Sequence, residues 1–415
     1  MGEKLEQAEK KLRKAGQEHL LRQYERLVDE KEKQEFLDSI LTIDFEKVND
    51  IFNKSKDVCV DDNVCIEPIK FLDKENIESD EYEKYEKLGV EAIKSGKLAV
   101  VTMAGGQGTR LGHTGPKGTF DLGLDSHKSI FEILCDTMKK ENARYDVSVP
   151  WYIMTSDENN KETVDFFESH NYFGYNKSDV AFFIQSKLPM VDVNCRCLID
   201  EKGRIKEAAD GHGGIFKSIL KDGVLFDMQS RGIEWVFIGG VDNVLVKPVD
   251  PVLIGISISN KVDAAGKSII KANPHEKVGI FCKRNGKPSV IEYSEISDSM
   301  AEERLENGEL KYAESHILCN LFNIEVIEKI AKMNLPYHVA FKKAKYLDEN
   351  GNLVVSDKPN AYKFESFLFD AFEQLNDLIV LRVKRENEFA PVKNAEGVDS
   401  PETARKLYIE FHSKN

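Results

Sequence analysis

The chain has 415 residues, more than a single hydrophobic core normally holds, so we expect two or three domains. Its formal net charge is −14 at pH 7, which disfavours sequence-independent binding to the phosphate backbones of nucleic acids. A local basic pocket in such a protein would instead suit a small anionic ligand.

The cysteines and the amino-terminal residues predict a cytoplasmic location. The seven cysteines are scattered, and the Cys195-x-Cys197 pair has no partner pair to complete a zinc site, so we expect reduced thiols. The first residues, MGEKLEQAEKKLRKAG, lack the apolar core of a signal peptide. No stretch approaches the roughly 18 apolar residues of a membrane helix. We therefore expect a soluble, cytoplasmic protein with no membrane partner.

The amino-terminal part of the chain predicts helices. Apolar residues recur at helical spacing through residues 1–57 and indicate two or three amphipathic helices. We favour a helical cap packed on the main domain over a coiled coil, because the repeat is not sustained. Residues 58–80 are predicted to be irregular, and a further helix is expected from Tyr82 to Ser95, where Gly96 ends it. We assign this helical segment to residues 1–90.

Strands and helices then alternate, which predicts a doubly wound α/β core with a parallel or mixed sheet. The expected strands are KLAVVTM, VPWYIMTS, VAFFIQ and EWVFIGGVDN, and the expected helices are SIFEILCDTMKKENARY, ENNKETVDFFESHNYF (with Ser156 or Asp157 as N-cap) and GGIFKSILKDGVLFDMQSRG. Ligands of such sheets bind beyond the carboxyl ends of the strands. The glycine loop after the first strand, MTS, QSKLP and VDN all fall at those ends, so we expect the site there.

Beyond residue 260 the pattern changes. Two β runs flank Asn285-Gly286, which predicts a hairpin. Residues 310–375 mix strand and helix, and a last helix ends the chain. We assign residues 91–375 to one catalytic domain, which includes the alternating core. Residues 376–415 are assigned to a small carboxy-terminal domain.

The segment VVTMAGGQGTRLGHTGPKGTFDLGL indicates phosphate binding. Its glycines, Gly105, Gly106 and Gly108, would allow positive φ and a close approach of backbone N–H groups to an anion. The spacing matches neither a Walker A loop nor a dinucleotide fingerprint. Arg110 and Lys117 could stabilise charge on a transferring phosphoryl or nucleotidyl group. The alternatives are a plain tight turn and two solvated surface cations.

Other strand ends carry polar residues. Asp242, in Val241-Asp242-Asn243, is placed to hold Mg²⁺ between phosphate oxygens, although a turn or N-cap aspartate has the same pattern. In the cluster DGHGG, Gly211 would let a base approach the backbone, and His212 has little to pack on. Gln185 offers a donor and an acceptor to the edge of a pyrimidine.

Taken together, these motifs resemble the eukaryotic UDP-N-acetylglucosamine pyrophosphorylases, members of the UDP-sugar pyrophosphorylase group. The similarity runs in collinear order through roughly residues 80–405, and its motifs are MAGGQGTRLG, GPKGTFDLGL, VPWYIMTS, FFIQSKLP, ADGHGG, VDNVLVKPVDP, VIEYSEIS, KPNAYKFESFLFD and NEFAPVKNAEG. The resemblance implies a Rossmann-like nucleotidyltransferase core. It also implies in-line attack of N-acetylglucosamine 1-phosphate on the α-phosphorus of UTP, giving the UDP-sugar and pyrophosphate.

The same resemblance implies roles for individual residues. Catalysis would fall to Arg110, Lys117 and Lys393; nucleotide binding to Ala104, Gly105, Gly106, Gln185, Gly211 and His212; sugar binding to Gly279, Glu292, Tyr293, His316, Phe367 and Phe369; phosphate binding to Lys363; and Mg²⁺ or Mn²⁺ binding to Asp242. Two positions depart from the family pattern. The family usually has Asn where this chain has His212, and Gly-Asn where it has Ser315-His316.

Both departures are on the sugar side, so the sequence leaves the sugar open. A UDP-glucose or broad UDP-sugar pyrophosphorylase is one alternative to the N-acetylglucosamine enzyme. A non-catalytic UDP-sugar-binding homologue is another, and the intact Arg110, Lys117, Asp242 and Lys393 argue against it.

Overall fold

The computed structural model of the protein describes residues 2–56 and 64–414. Cys59 and the part of the predicted irregular segment at 58–63 lie outside the described residues. The helices are α1 (Gly2–Ala15), α2 (His19–Arg26), α3 (Glu30–Thr42), α4 (Phe45–Lys56), α5 (Ser79–Lys94), α6 (Ile130–Tyr145), α7 (Asn160–Ser169), α8 (Ile215–Lys221), α9 (Val224–Ser230), α10 (Pro251–Asn260), α11 (Asp298–Glu302), α12 (Ile324–Ala331), α13 (Arg385–Glu388) and α14 (Pro401–Lys414).

Strands occur along the rest of the described chain. They are β1 (Ile66–Pro68), β2 (Leu72–Asp73), β3 (Leu98–Met103), β4 (Trp151–Thr155), β5 (Val180–Ile184), β6 (Lys187–Pro189), β7 (Glu207–Ala209), β8 (Trp235–Gly240), β9 (Ala264–Ile270), β10 (Ile280–Arg284), β11 (Lys287–Ile291), β12 (Glu314–Asn323), β13 (His338–Lys342), β14 (Tyr346–Leu347), β15 (Leu353–Val354), β16 (Ala361–Glu365) and β17 (Ile379–Arg382). Short 3₁₀ turns connect several of these elements.

The chain forms two compact units, and both are discontinuous in sequence. Unit one comprises Met1–Asp62, Ser186–Gly214 and Leu335–Phe367, and unit two comprises Asn63–Gln185, Ile215–Asn334 and Leu368–Asn415. This grouping differs from the consecutive ranges 1–90, 91–375 and 376–415, because distant segments share each core.

Unit one is built on the amino-terminal helices. The prediction of helices is confirmed, and there are four of them, α1 to α4, rather than two or three. Their apolar faces, including Leu12, Phe36 and Ile40, form one core with Val191 and Phe364 from the other segments of the unit. The helices therefore bury their apolar faces on short strands and loops of unit one and form no coiled coil.

Unit two is built on an eleven-stranded mixed sheet with the order β2-β17-β9-β12-β8-β3-β4-β5 along its main path. Strands β8, β3, β4 and β5 are parallel neighbours, and β12 runs antiparallel between β9 and β8. All six residues of β3 are buried, as expected for a central parallel strand covered on both faces. The predicted fold class, an α/β core with a mixed sheet, is confirmed.

Local predictions for unit two fare differently. The hairpin is confirmed: Asn285 and Gly286 connect β10 and β11 with φ of 50° and 78°, the backbone of a type I′ turn. The single helix predicted over GGIFKSILKDGVLFDMQSRG is wrong, because Gly223 takes a φ of 76° and separates α8 from α9. The residue before α7 is Asn159, so the predicted caps Ser156 and Asp157 are also wrong.

The carboxy-terminal residues complete the core of unit two. Strand β17 pairs in parallel with β9, and α14 packs on the same core through Ala404, Leu407 and Tyr408. The segment 376–415 therefore supplies a strand and a helix to the large sheet's own core. Among the described residues, no helix has the length and apolar character needed to cross a membrane.

Candidate active site

The glycine loop follows β3 at the carboxyl end of that strand. It leaves the sheet after Ala104 and returns through a bridge between Gln107 and Pro116. The backbone N–H of Lys117 then donates to the carbonyl of Gly106 at 3.0 Å. These bonds close the loop between Gly106 and Lys117 and place the Lys117 backbone beside the first residues of the loop.

The conformation of the glycines corrects one expectation. Among the described glycines with positive φ, none is Gly105, Gly106 or Gly108, so the loop does not need them for left-handed backbone. A Cβ on Gly105 would lie 2.6 Å from Oε1 of Gln185, so a side chain there would displace the Gln185 amide. A Cβ on Gly106 would meet no atom within 4 Å, so the fold itself does not explain that glycine.

The buried residue Asn159 holds the loop, and the sequence analysis missed it. Its Nδ2 donates to the carbonyl of Ala104 at 3.0 Å and to that of Gly106 at 3.4 Å. Its Oδ1 accepts a hydrogen bond from the N–H of Ser156 at 2.8 Å. The turn after β4 therefore fixes the loop after β3. The only sequence signal was a polar residue four positions beyond a buried strand, which is common in turns.

Lys117 and Asp242 lie at the same edge of the sheet as the loop. Burial of its side chain lowers the pKa of Lys117; the Asp242 carboxylate opposes this shift, and the positive charges of Lys393 and Arg110 add to it. Two carboxylates, Asp242 and Asp399, and two further cations, Lys393 and Arg110, thus act on the Lys117 ammonium. Arg110 is exposed and Lys117 half-buried, so the cluster faces solvent.

Lys393 arrives from the carboxy-terminal part of the chain. The N–H of Val392 donates to the carbonyl of Asp242 at 2.9 Å. The N–H of Lys393 donates to the carbonyl of Asp399 at 2.6 Å, and its ammonium lies 3.5 Å from the Asp399 carboxylate. Asp399 is a second residue that the sequence analysis missed. Its carboxylate thus pairs with the Lys393 ammonium in the structure.

The residues present suit a Mg²⁺ ion that enters with a phosphate ligand. No group of three or more His, Cys, Asp or Glu side chains within residues 2–56 and 64–414 could hold a metal unaided. Mg²⁺ commonly binds through one or two carboxylates, waters and substrate phosphates. Asp242 offers one such hard carboxylate oxygen beside the cation cluster, so the donor set fits.

Unit two also brings together four of the predicted sugar-binding residues. The N–H of His316 donates to the carbonyl of Gly279 at 2.8 Å, and a Cβ on Gly279 would lie 3.3 Å from Oε1 of Glu292. The His316 ring packs edge-on against Phe369 with centroids 5.7 Å apart. A fifth predicted residue, Tyr293, directly follows Glu292 in sequence and is 48% exposed.

A β-bulge supports this part of unit two. The register of β12 shifts between His316 and Asn320, and Leu318 takes a φ of 54°. The two flanking side chains share a hydrogen bond of 3.0 Å between His316 Nε2 and Asn320 Oδ1. Bulges often re-aim side chains beside functional sites, and this one fixes the orientation of the His316 ring.

The other predicted residues lie in unit one. Gly211 is needed by the fold, because its φ is 84° and a Cβ would lie 2.2 Å from the Ser366 carbonyl oxygen. The expectation that His212 has little to pack on is wrong, since its ring lies 5.4 Å from that of Phe367. Lys363 pairs with Glu365 at 2.7 Å.

Comparison with known proteins identifies the family of the chain. Residues 44–400 match the family model described as UTP–glucose-1-phosphate uridylyltransferase. The chain belongs to this uridylyltransferase family. The family resemblance that the sequence motifs indicated is thereby confirmed. Individual relatives and a solved structure show members of the family to which the chain is similar.

Two curated relatives within the uridylyltransferase family are close in sequence. The chain is 39% identical over 377 residues to the UDP-N-acetylglucosamine pyrophosphorylase of Saccharomyces cerevisiae, covering 86% of this chain and 77% of the relative. It is 40% identical over 343 residues to UDP-N-acetylhexosamine pyrophosphorylase-like protein 1 of Xenopus tropicalis, covering 80% and 67%.

A solved structure agrees with the fold. The uridine diphosphate N-acetylglucosamine pyrophosphorylase of Trypanosoma brucei, crystallised with an inhibitor, matches with a TM-score of 0.86 at 31% identity. The match covers 98% of this chain and 84% of that one. Because the match covers nearly all of this chain, it includes the amino-terminal helices.

Proposed function

We propose that the protein transfers the uridylyl group of UTP to N-acetylglucosamine 1-phosphate, giving UDP-N-acetylglucosamine and pyrophosphate. The observation that carries the proposal is that the Lys117 backbone is bonded to Gly106 after β3 at 3.0 Å, and the segment leading to Lys393 is bonded to Asp242 after β8 at 2.9 Å. Three cations, Arg110, Lys117 and Lys393, with the carboxylates of Asp242 and Asp399 suit a metal-bound triphosphate better than they suit a neutral ligand. The named relatives support the choice of substrates.

The chemistry asks little covalent work of the protein. A phosphate oxygen of the sugar phosphate attacks the α-phosphorus, a new P–O bond forms, and the bond to the bridging oxygen breaks with its electron pair leaving on pyrophosphate. Positioning and charge stabilisation dominate such transfers. In this scheme Arg110 and Lys117 stabilise charge on the phosphates, and Lys393 is released from Asp399 to join them.

The backbone around Gly106 would meet the nucleotide. Its open position leaves room for a phosphate at the loop, and a substituent there would obstruct the ligand without disturbing the fold. Gln185, which touches the Gly105 position, would present its amide to uracil. Gly211, His212 and Lys363 belong to unit one, and their nucleotide and phosphate roles stay predictions from the sequence motifs.

Asp242 would hold the Mg²⁺ or Mn²⁺ that accompanies UTP. When bound, the ion neutralises charge on the phosphate oxygens and favours departure of pyrophosphate. The role of this chain is to orient the Asp242 carboxylate, whose backbone carbonyl accepts a hydrogen bond from the N–H of Val392 at 2.9 Å.

Within unit two, the sugar would bind to Gly279, Glu292, Tyr293, His316 and Phe369; the role of Phe367, in unit one, stays a prediction from the sequence motifs. We favour the N-acetylated sugar because the relatives at 39–40% identity are named for N-acetylated hexosamines. Glucose 1-phosphate remains the alternative substrate, since His316 stands where the family pattern has asparagine. We also propose a cytoplasmic location, in keeping with the reduced thiols that the scattered cysteines predict.

A coupled pyrophosphate-release assay tests the proposal. Purified protein with UTP, Mg²⁺ and N-acetylglucosamine 1-phosphate should release pyrophosphate, and omission of any one component should stop it. Lys117→Ala is the matched control against a contaminating activity. Absence of turnover with the glucose, galactose, N-acetylglucosamine and N-acetylgalactosamine 1-phosphates alike would leave only a non-catalytic UDP-sugar-binding role.

A further inference from the structure

Asn243 follows the proposed metal ligand and points away from solvent. Its side chain is 3% exposed. Its Nδ2 donates to the Glu388 carbonyl at 2.7 Å, and its Oδ1 accepts from the N–H groups of Ala390 at 2.9 Å and Leu245 at 3.2 Å. One buried amide thus bonds the segment 388–390 to the end of β8.

The backbone extends the same attachment toward Lys393. Asn243 forms a bridge with Pro391, the N–H of Val244 donates to the Ala390 carbonyl at 3.2 Å, and the N–H of Val392 donates to the Asp242 carbonyl at 2.9 Å. Two short segments therefore pair in antiparallel fashion. The residue after this pairing is Lys393, so the pairing fixes the Lys393 backbone beside Asp242.

A buried ionic cluster anchors the other end of the segment. The Glu388 carboxylate lies 2.5 Å from the ammonium of Lys267, which is 2.8 Å from Asp250. Lys267 is fully buried, and Lys74 completes the cluster at 2.9 Å from Asp250. A buried charge that loses its partner is strongly destabilising, so this cluster fixes where α13 ends and where the segment leading to Lys393 begins.

We propose that Asn243 is a positioning residue that sets the distance between Lys393 and Asp242 during uridylyl transfer. The inference rests on the proposed function and goes beyond it, because Asn243 touches no substrate and acts through Lys393. Misplacing a catalytic group by about 1 Å can cost about 10²-fold in rate. Loss of the Asn243 amide should therefore lower kcat without abolishing nucleotide binding.

A double-mutant cycle tests the inference. Asn243→Ala should lower kcat by about 10- to 100-fold, and Lys393→Ala by about 10²- to 10³-fold. If Asn243 acts through Lys393, adding Asn243→Ala to Lys393→Ala should cause less than a twofold further loss of kcat. Independent losses that multiply in the double variant would overturn the inference, as would an Asn243→Ala protein with normal kcat.

Controls separate this role from stability and from the proposed function. Asn142→Ala removes two amide hydrogen bonds, to Tyr175 Oη at 2.9 Å and from the Val149 N–H at 3.3 Å; it should lower Tm while kcat stays normal. If Asn243→Ala does not fold, Asn243→Asp takes its place in the cycle with the same criteria, since it keeps the shape and both acceptor bonds. An inactive wild type would refute the proposed function, whereas an active wild type with a multiplicative cycle would refute only the role of Asn243.

Discussion

Replacement of Asn159 by alanine tests how the nucleotide loop is held. The substitution removes hydrogen bonds to two loop carbonyls, at Ala104 and Gly106. A typical buried hydrogen bond contributes about 0.5–1.5 kcal/mol, so the loop loses about 1–3 kcal/mol of stabilisation in its observed conformation. That free energy corresponds to about 5- to 150-fold in population.

If UTP binds this conformation, kcat/KM for UTP should fall by about that factor. The KM for the sugar phosphate should change little, because the loop is assigned to the nucleotide. Asn159→Asp should be worse than alanine, since a carboxylate oxygen would replace the donor opposite two carbonyl oxygens. Steady-state kinetics with each substrate varied in turn, together with thermal unfolding, measure these effects. A lowered Tm with unchanged kcat/KM for UTP would refute the reasoning.

Further predictions concern the cations, the glycines and the sugar. Lys117→Ala should lower kcat by about 10²–10³-fold while uridine binding by calorimetry persists. Burial lowers the pKa of Lys117, so the ammonium deprotonates below its usual range and activity should fall at alkaline pH; Lys117→Arg should move that fall to higher pH. Gly106→Ala should spare Tm and weaken UTP binding, whereas Gly211→Ala should lower Tm because of its contact with Ser366. His316→Asn should change the ratio of kcat/KM for acetylated and plain sugar phosphates.

The parallel core could be predicted because its signals are local. β3 and β8 are runs of buried residues. The glycine loop begins just after β3, and Asp242-Asn243 lies just after β8. The Asn285-Gly286 hairpin was predictable for the same reason, since two residues determine the turn. Residue types and spacing are sufficient where structure depends on neighbours in sequence.

Long-range contacts explain what could not be predicted. The bonds of Asn243 to Glu388 and Ala390 cross about 145 positions, and no local pattern specifies them. Likewise, β17 joins the large sheet beside β9, so a carboxy-terminal segment that resembles a separate small domain contributes to the main core. The packing of His212 on Phe367 also depends on residues far apart in the chain.

The break between α8 and α9 has a different cause. Gly223 was visible in the sequence, but glycine within a helical pattern is tolerated at a cost of about 1 kcal/mol. Its positive φ of 76° is what ends one helix and starts the next. The residue types just before Gly223, such as Leu220 and Asp222, do not distinguish a helix break from a glycine within one helix.

The central claim is uridylyl transfer to an N-acetylated sugar phosphate, and a competition experiment tests it most directly. Equal concentrations of N-acetylglucosamine 1-phosphate and glucose 1-phosphate are supplied with UTP and Mg²⁺, and the UDP-sugars formed are quantified by mass spectrometry. We expect UDP-N-acetylglucosamine to dominate, with formation lost in Lys117→Ala. A product pool dominated by UDP-glucose, or no UDP-sugar at all, would contradict the account.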